Sequence, residues 1–407
     1  MLIVQKYGGS SVANAERIAH VAKRITDAYR EGNQMVVVLS AQGDTTDELI
    51  AKAQEINPAA SPREMDMLLS TGEQQSVALM SMAIHKLGCP AISLNAYQVG
   101  VTSSSRHTNA RIRHISTERI QTELDKKSIV IVTGFQGMNR YGDLTTLGRG
   151  GSDTSAVALA AVLHADLCEI YTDVEGVYTA DPRIVKNAQK LNEIRYDEML
   201  ELASLGAKVL HNRSVELAKK YHVNLVVRSS MSDADGTLVK EEIRVESMFI
   251  SGVAVDKDVA RVSVVGLKDE PGMAFKLFSL LSKHKICVDI ILQSIGRNGT
   301  KDITFTIAKN DLAETVRLLE ENQTILAFDL VSYDESIAKL SIVGAGMATN
   351  PGVASTMFEA LYEAGVNINM ISTSEIKISV LIDERDVVKG ANVVHDKFID
   401  DNNTRHQ

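Results

Sequence analysis

The chain has 407 residues, enough for two or three domains, with 44% hydrophobic residues, only 4% aromatic and no tryptophan. Such a composition suits aliphatic α/β packing; with a net charge of −9 and a pI near 5.6 it argues against a nucleic-acid partner. Cys89, Cys168 and Cys287 read as separate small buried hydrophobes in a reducing cytosol, and with no transmembrane-length apolar run and no signal-peptide pattern at the start, a soluble cytoplasmic protein without membrane contact is expected.

The first two-thirds alternates strand and helix signals. A short strand at 2–5 precedes a helix at 14–31, and the run Met35-Val36-Val37-Val38-Leu39 within 34–40 has the continuous apolarity of a strand buried on both faces. Residues 91–94, 128–133 and 167–171 resemble it, and helical spacing fills 64–87, 117–126, 154–163 and 196–205. This alternation predicts an α/β fold, a largely parallel sheet sandwiched by helices, with ligands beyond the carboxyl ends of its strands. The loops at 8–9, 40–46 and 134–137 all follow strands and are expected to converge there. The charged, turn-rich stretch 229–246 reads as a linker.

The last third repeats itself. Val262-Ser263-Val264-Val265-Gly266 parallels Leu340-Ser341-Ile342-Val343-Gly344, Pro271-Gly272 parallels Pro351-Gly352, and Ile303-Thr304-Phe305-Thr306-Ile307 parallels Ile378-Ser379-Val380-Leu381-Ile382. Each copy reads as a ferredoxin-like βαββαβ unit. The first, 260–335, has a clear last strand at 327–331; the second, 336–399, lacks one. The strand at 249–256 is expected to complete the second, so that the modules interlock, and 400–407 reads as a flexible tail.

Two glycine-rich loops carry the chemistry: Lys6-Tyr7-Gly8-Gly9-Ser10-Ser11 and Gly148-Arg149-Gly150-Gly151-Ser152-Asp153. Glycines let backbone N–H groups approach an anion without a Cβ in the way. Neither loop fits Gly-x-x-x-x-Gly-Lys-Ser/Thr, which excludes a P-loop enzyme. Asp153 either caps a helix beginning at Thr154 or orients a nearby lysine. The ten histidines show no metal-ligand spacing, so no protein metal site is expected.

These loops, with Ser70-Thr71-Gly72-Glu73, the run from Tyr171 through Arg183 and Gly206-Ala207-Lys208-Val209-Leu210-His211, resemble the aspartate kinase family over nearly the whole chain. The C-terminal repeat resembles the tandem ACT domains of its monofunctional, feedback-regulated members, after a catalytic domain spanning 1–246. The resemblance implies transfer of the γ-phosphoryl group of ATP to the β-carboxylate of L-aspartate, giving 4-phospho-L-aspartate, the first step of lysine, threonine and methionine synthesis, with Mg²⁺ carried on the ATP. Inhibition by lysine and/or threonine is implied too, as is a homo-oligomer or an assembly with a separate regulatory subunit through the ACT domains. Glutamate, carbamate and uridylate kinases share the general fold but lack the paired ACT units and this opening motif. The reading from another class is a non-catalytic amino-acid-sensing subunit, which the intact N-terminal motifs oppose.

The resemblance also implies residue roles. Lys6, Asp153 and Lys208 would be catalytic. ATP would meet Lys6, Tyr7, Gly8, Gly9, Ser10, Ser40, Ser152, Thr172, Asp173, Tyr178, Arg183 and Lys208. Aspartate would meet Thr46, Glu73 through its ammonium, Leu124, Asp125, Arg149 as a carboxylate fork, Gly150, Gly151 and Ser152. Effector positions would include Asp269, Gly272, Ala274, Asp289 and Gln293 in the first module and Asn350, Gly352, Val353, Asn367, Ile368, Ser374 and Glu375 in the second.

Overall fold

The structure is a computed structural model that describes residues 1–205, 209–241, 250–294, 299–344, 347, 350 and 352–404, the last five by backbone alone. Contacts divide the chain into two units: described residues within 1–178, 190–204 and 208–246 form one, and those within 179–189, 205–207 and 247–407 the other.

The first unit runs β1 (Leu2–Tyr7), α1 (Ala15–Arg30), β2 (Gln34–Leu39), α2 (Thr45–Ile56), α3 (Pro62–Lys86), β3 (Ala91–Leu94), β4 (Thr102–Ser103), β5 (Ile112–His114), α4 (Glu118–Asp125), β6 (Ile129–Thr133), β7 (Gln136–Met138), β8 (Leu144–Thr146), α5 (Gly151–Leu163), β9 (Leu167–Thr172), β10 (Glu193–Arg195), α6 (Tyr196–Ser204), α7 (Asn212–Tyr221), β11 (Leu225–Ser229) and β12 (Thr237–Lys240). Its main sheet has eight strands in the order β10-β12-β11-β9-β1-β2-β6-β3, parallel except where β11 meets β12. The apolar runs of β2 and β6 are buried throughout because helices cover both faces. Along β1 the side chains alternate: Ile3 and Tyr7 enter the core shared with α1 and α3, while Lys6 turns to the face of α5. Local chemistry sets the helix starts. Asn14 caps α1 by accepting the Arg17 N–H, Ser61 caps α3 with Pro62 at its first position, and α5 starts from Gly150 in the left-handed region, φ 66°.

The second unit contains β13 (Gly252–Asp256), β14 (Ala260–Lys268), α8 (Met273–Lys283), β15 (Ile291–Gln293), β16 (Thr300–Ile307), α9 (Leu312–Glu321), α10 (Gln323–Leu326), β17 (Leu330–Asp334), β18 (Ile337–Val343), α11 (Val353–Glu363), β19 (Met370–Thr373), β20 (Lys377–Asp383) and α12 (Val387–Thr404). It forms two four-stranded sheets, β15-β16-β14-β17 and β13-β18-β20-β19. The second sheet takes β13 from ahead of both repeats, paired antiparallel to β18 from Gly252↔Val343 to Asp256↔Lys339. A cluster of Val259, Ile290, Ile337, Met370 and Leu381 draws from both modules.

The fold corrects several sequence expectations. The opening strand extends to Tyr7, so Lys6 lies within it rather than after it. Helix α5 begins at Gly151, which puts Asp153 inside its first turn and leaves Gly150 as the cap; capping by Asp153 is therefore overturned. The stretch read as a linker holds the end of β11 and all of β12. Residues 400–404 continue α12 and are not a tail. Cys287 is exposed, unlike Cys89 and Cys168. Residues 179–189 pack with the second unit: Thr179 bonds His395 at 2.8 Å, Asn392 donates to the Ile184 carbonyl at 2.9 Å, and Ala180 and Val185 join the core of the second ferredoxin-like module. Helices α2 and α7 and the small sheet β5-β4-β7-β8 add to the elements expected from the sequence.

Candidate active site

The site lies at the carboxyl ends of β1, β2, β6 and β9, where backbone bonds stitch four loops together. Gly8 donates to the Tyr171 carbonyl at 3.3 Å, Ser40 to Tyr7 at 3.2 Å, Gly43 to Gly9 at 3.0 Å and Gly134 to Leu39 at 3.0 Å. The N–H groups of Gly9 and Ser10 have no protein acceptor among the described residues. A Cβ on Gly9 would stand 2.6 Å from the Ala41 carbonyl oxygen, so only glycine fits between the two loops.

Lys6 Nζ lies 2.6 Å from Asp153 Oδ1, each side chain 12% exposed. The ammonium is beside Gly8, where an added Cβ would fall 3.5 Å from Nζ. The start of α5 is held against the loop after β6: a Cβ on Gly134 would meet Ser152 Oγ at 2.6 Å, and Ser155 Oγ accepts the Phe135 N–H at 3.2 Å. The result is a mouth with one ammonium, free backbone donors and the hydroxyl of Ser152, suited to an anion such as phosphate.

Glu73 enters from α3 and is 3% exposed. Its carboxylate accepts the Ala41 N–H at 3.2 Å and is 3.4 Å from Gln136 Nε2. Burial pushes its pKa up to about 7, opposed by these hydrogen bonds. Gln136 also donates to the Ser70 carbonyl at 2.6 Å. Gln136 was missed from sequence because a lone Gln in a short strand carries no periodic signal. Thr46 lies in the first turn of α2, and Ser40 just after β2. Thr172 closes β9 and donates to Asp173 at 3.0 Å.

Arg149 is exposed between Gly148 and Gly150, both at positive φ, and its side chain has no ion-pair partner among the described residues. The approach to this loop is fixed by two groups that sequence reading overlooked, Asp66 and Arg213. Asp66 is fully buried and accepts from His107 Nδ1 at 2.8 Å, the Thr108 N–H at 3.0 Å and Thr146 Oγ1 at 2.6 Å. Arg213 donates to the carbonyls of Leu147 at 2.6 Å and Ala110 at 3.0 Å. These two residues, from α3 and α7, hold the strand and loop that lead to Arg149.

Leu124, Asp125 and the side chain of Tyr7 do not join the site. Leu124 and Asp125 end α4 and lead into the amino end of β6, at the opposite edge of the sheet from Gly134; Leu124 is 2% exposed. Tyr7 is wholly buried, stacked on Tyr171 at 4.6 Å with its hydroxyl 3.1 Å from Gln5, and its carbonyl is taken by Ser40, so its side chain cannot meet a nucleotide. The N–H of Gly8 is likewise engaged. Tyr178 bridges to Lys190 in the first unit, whereas Arg183 lies in the second with its guanidinium 2.7 Å from Asp181. Lys208 lies outside the described residues.

Residues 1–229 match the Amino acid kinase family, and residues 262–323 and 340–398 match the ACT domain. The aspartokinase of Geobacillus stearothermophilus is 52% identical over 398 residues, covering 98% of this chain and 97% of the relative. The chain belongs to the aspartokinase family. The family's enzyme from Mycolicibacterium smegmatis is 51% identical over 403 residues, with 98% and 96% covered. Among solved structures, E. coli aspartokinase III in complex with aspartate and ADP superposes with a TM-score of 0.83 at 26% identity, covering 98% of this chain and 99% of that one. The same enzyme with lysine and aspartate gives 0.78 at 27% identity, with the same coverage.

For a member of the aspartokinase family, the expected effector positions fall on the ACT sheets and helix starts. Gly272 and Gly352 begin α8 and α11 at φ 93° and 102°, followed by Ala274 and Val353 in the first turns. Asp269 pairs with Lys301 at 2.7 Å, and Gln293 ends the exposed β15. Asp289 already holds an ammonium, that of Lys339, at 2.6 Å, with Asp256 at 3.4 Å on the same nitrogen. Asn367 lies 3.4 Å from Asn369, Ile368 packs on the second module's core, Asn350 precedes Gly352, and Ser374 and Glu375 form the turn before β20. No helix among the described residues is long and apolar enough to cross a membrane, and none of them forms a cluster of three metal-ligating side chains.

Proposed function

We propose that this chain is a cytoplasmic aspartate kinase that transfers the γ-phosphoryl group of ATP to the side-chain carboxylate of L-aspartate and is inhibited by lysine, threonine or both through its ACT modules. The observation that carries the reading is the Lys6–Asp153 ion pair at the mouth of a glycine loop in which the Gly9 and Ser10 N–H groups have no protein acceptor among the described residues. A free aspartate side chain has a pKa of about 3.9 and arrives ionised, so no general base is needed. A carboxylate oxygen attacks the γ-phosphorus, the bond to the bridging oxygen breaks, and ADP leaves with the electron pair. Catalysis then consists of alignment and neutralisation of charge.

In this reading Lys6 meets the transferring phosphoryl oxygens, and Asp153 holds the ammonium in place. Gly9 and Ser10 donate backbone N–H groups to phosphate, with Ser40, Thr172, Asp173 and Tyr178 on the nucleotide side. Glu73 takes the substrate ammonium, Arg149 a carboxylate, and Thr46 and Ser152 offer hydroxyls. Mg²⁺ would travel on the ATP phosphates and supply further charge neutralisation. The exposed strands of the ACT sheets suit assembly with another ACT-bearing chain. A coupled assay of ADP release dependent on L-aspartate tests the reaction. Absence of turnover with ATP, Mg²⁺ and aspartate rejects it in favour of a sensing subunit. Titration with lysine, threonine and their mixture tests the regulation.

A further inference from the structure

The first unit contains a cavity of about 350 Å³ between α5, α7 and the segment 111–115 that holds β5, lined by none of the residues assigned to the reaction. Its rim carries Arg111, Arg113, Arg213 and Lys220 against one carboxylate, Glu216. That local excess of positive charge stands in a chain whose net charge is −9. Neither Arg111, Arg113 nor Lys220 has an ion-pair partner among the described residues; Lys220 instead lies 5.2 Å over the Tyr221 ring. Arg213 is held in place by the Leu147 and Ala110 carbonyls. Burial, and next the charge of Arg111, push its pKa down, and the single carboxylate of Glu216 opposes this only in part. The floor is apolar, with Ile115, Ala158 and Leu217.

We propose that this cavity is a regulatory site for a small organic anion, a phosphate or carboxylate on an apolar body. Unpaired arginines at the rim favour a forked anion, the apolar floor favours a carbon body over a bare inorganic ion, and the volume is in the range of small-molecule sites, about 300–1,000 Å³. The route to catalysis is short. Thr154 lines the cavity and directly follows Asp153, which holds Lys6, and Ala158 lies one turn further along α5. An anion seated there bears on the helix whose first turn carries Ser152 and Asp153, and Arg213 links it to the loop of Arg149. Binding here and substrate binding are then reciprocally coupled.

The kinetic part rests on the proposed kinase reaction, and the binding part does not. Phenyl phosphate is titrated calorimetrically into the full-length protein with the active site filled by ADP and aspartate, and compared with inorganic phosphate and with an Arg111→Ala/Arg113→Ala variant. Both arginines are exposed, so the fold has no need of them. Saturable one-site binding is expected, weaker by about tenfold or more in the variant and for inorganic phosphate, a loss of about 1.4 kcal/mol per tenfold. Phenyl phosphate should also change kcat or the aspartate KM of the wild type, and not of the variant, whose turnover without it stays at the wild-type level. No saturable binding, equal affinity in the variant, or equal binding of inorganic phosphate overturns the site. Binding that leaves turnover and KM untouched overturns its regulatory role. If the protein shows no kinase turnover at all, the reaction fails, while calorimetry still decides the site.

Discussion

Lys6 of β1 and Asp153 of α5 meet at 2.6 Å, although one belongs to the first strand of the chain and the other to a helix more than a hundred residues later. The carboxylate fixes an ammonium that would otherwise sweep freely from its flexible stem, and aims it at the glycine loop. Lys6→Ala should therefore lower kcat by about 10²-fold or more, by removing charge stabilisation at the phosphoryl group. Asp153→Asn should lower kcat with less effect on ATP affinity, because the ammonium remains but wanders. Steady-state kinetics checks both; near wild-type turnover in Lys6→Ala would remove Lys6 from the mechanism.

Glu73 gives a pH signature. Its pKa of about 7 in the empty site means that below neutral pH it is protonated and cannot accept the substrate ammonium. kcat/KM for aspartate should fall by about tenfold per pH unit below about 7, and Glu73→Gln should abolish that limb while raising the aspartate KM. Stability follows the same shift with the opposite trend. The folded state holds this proton to higher pH than the unfolded chain, so stability falls as pH rises from about 4.5 to about 7, by on the order of 3 kcal/mol. Denaturation of the substrate-free protein at several pH values, with Glu73→Gln as control, measures it.

The phosphate loop has no room for a side chain at Gly9. In Gly9→Ala the new methyl would press on the carbonyls of Ala41 and Gly43, and backbone cannot yield as a flexible side chain does. The loop must shift, and displacement of its donors should weaken ATP binding by about tenfold or more, with the fold retained. Nucleotide titration beside circular dichroism separates the loss of binding from unfolding.

Asp66 should act on aspartate rather than on ATP. It receives three donors that position the segments leading to Arg149. Asp66→Asn leaves at least one of them without an acceptor, at a cost of about 1–3 kcal/mol. The expected result is a raised aspartate KM, an unchanged ATP KM and a lower melting temperature. Equal changes in both KM values would show that the network holds the whole site.

The ACT modules offer a separate check on packing. Lys339 is 5% exposed and is neutralised by Asp289 and Asp256. Asp289→Ala should leave the buried ammonium with one longer contact and destabilise the second unit by about 3 kcal/mol or more. Asp289→Ala combined with Lys339→Met should recover part of that loss, as thermal denaturation would report.

The parallel sheet, the two glycine loops and the doubled C-terminal module are legible in the chain's local patterns. These rest on local properties: runs such as Met35 to Leu39 that suit only a strand buried on both faces, glycines at strand ends, and repeated patterns. Tertiary structure decided what pairs with what. Nothing near Glu73 in the sequence announces that its helix buries it against Ala41 and Gln136, which raises its pKa. The same holds for Asp66 with Thr146, for β13 in the sheet of the second module, and for Leu124 and Asp125, which α4 delivers to the far edge of the sheet. Desolvation and hydrogen bonding depend on neighbours that are distant in the chain, and only the packed fold brings those neighbours together.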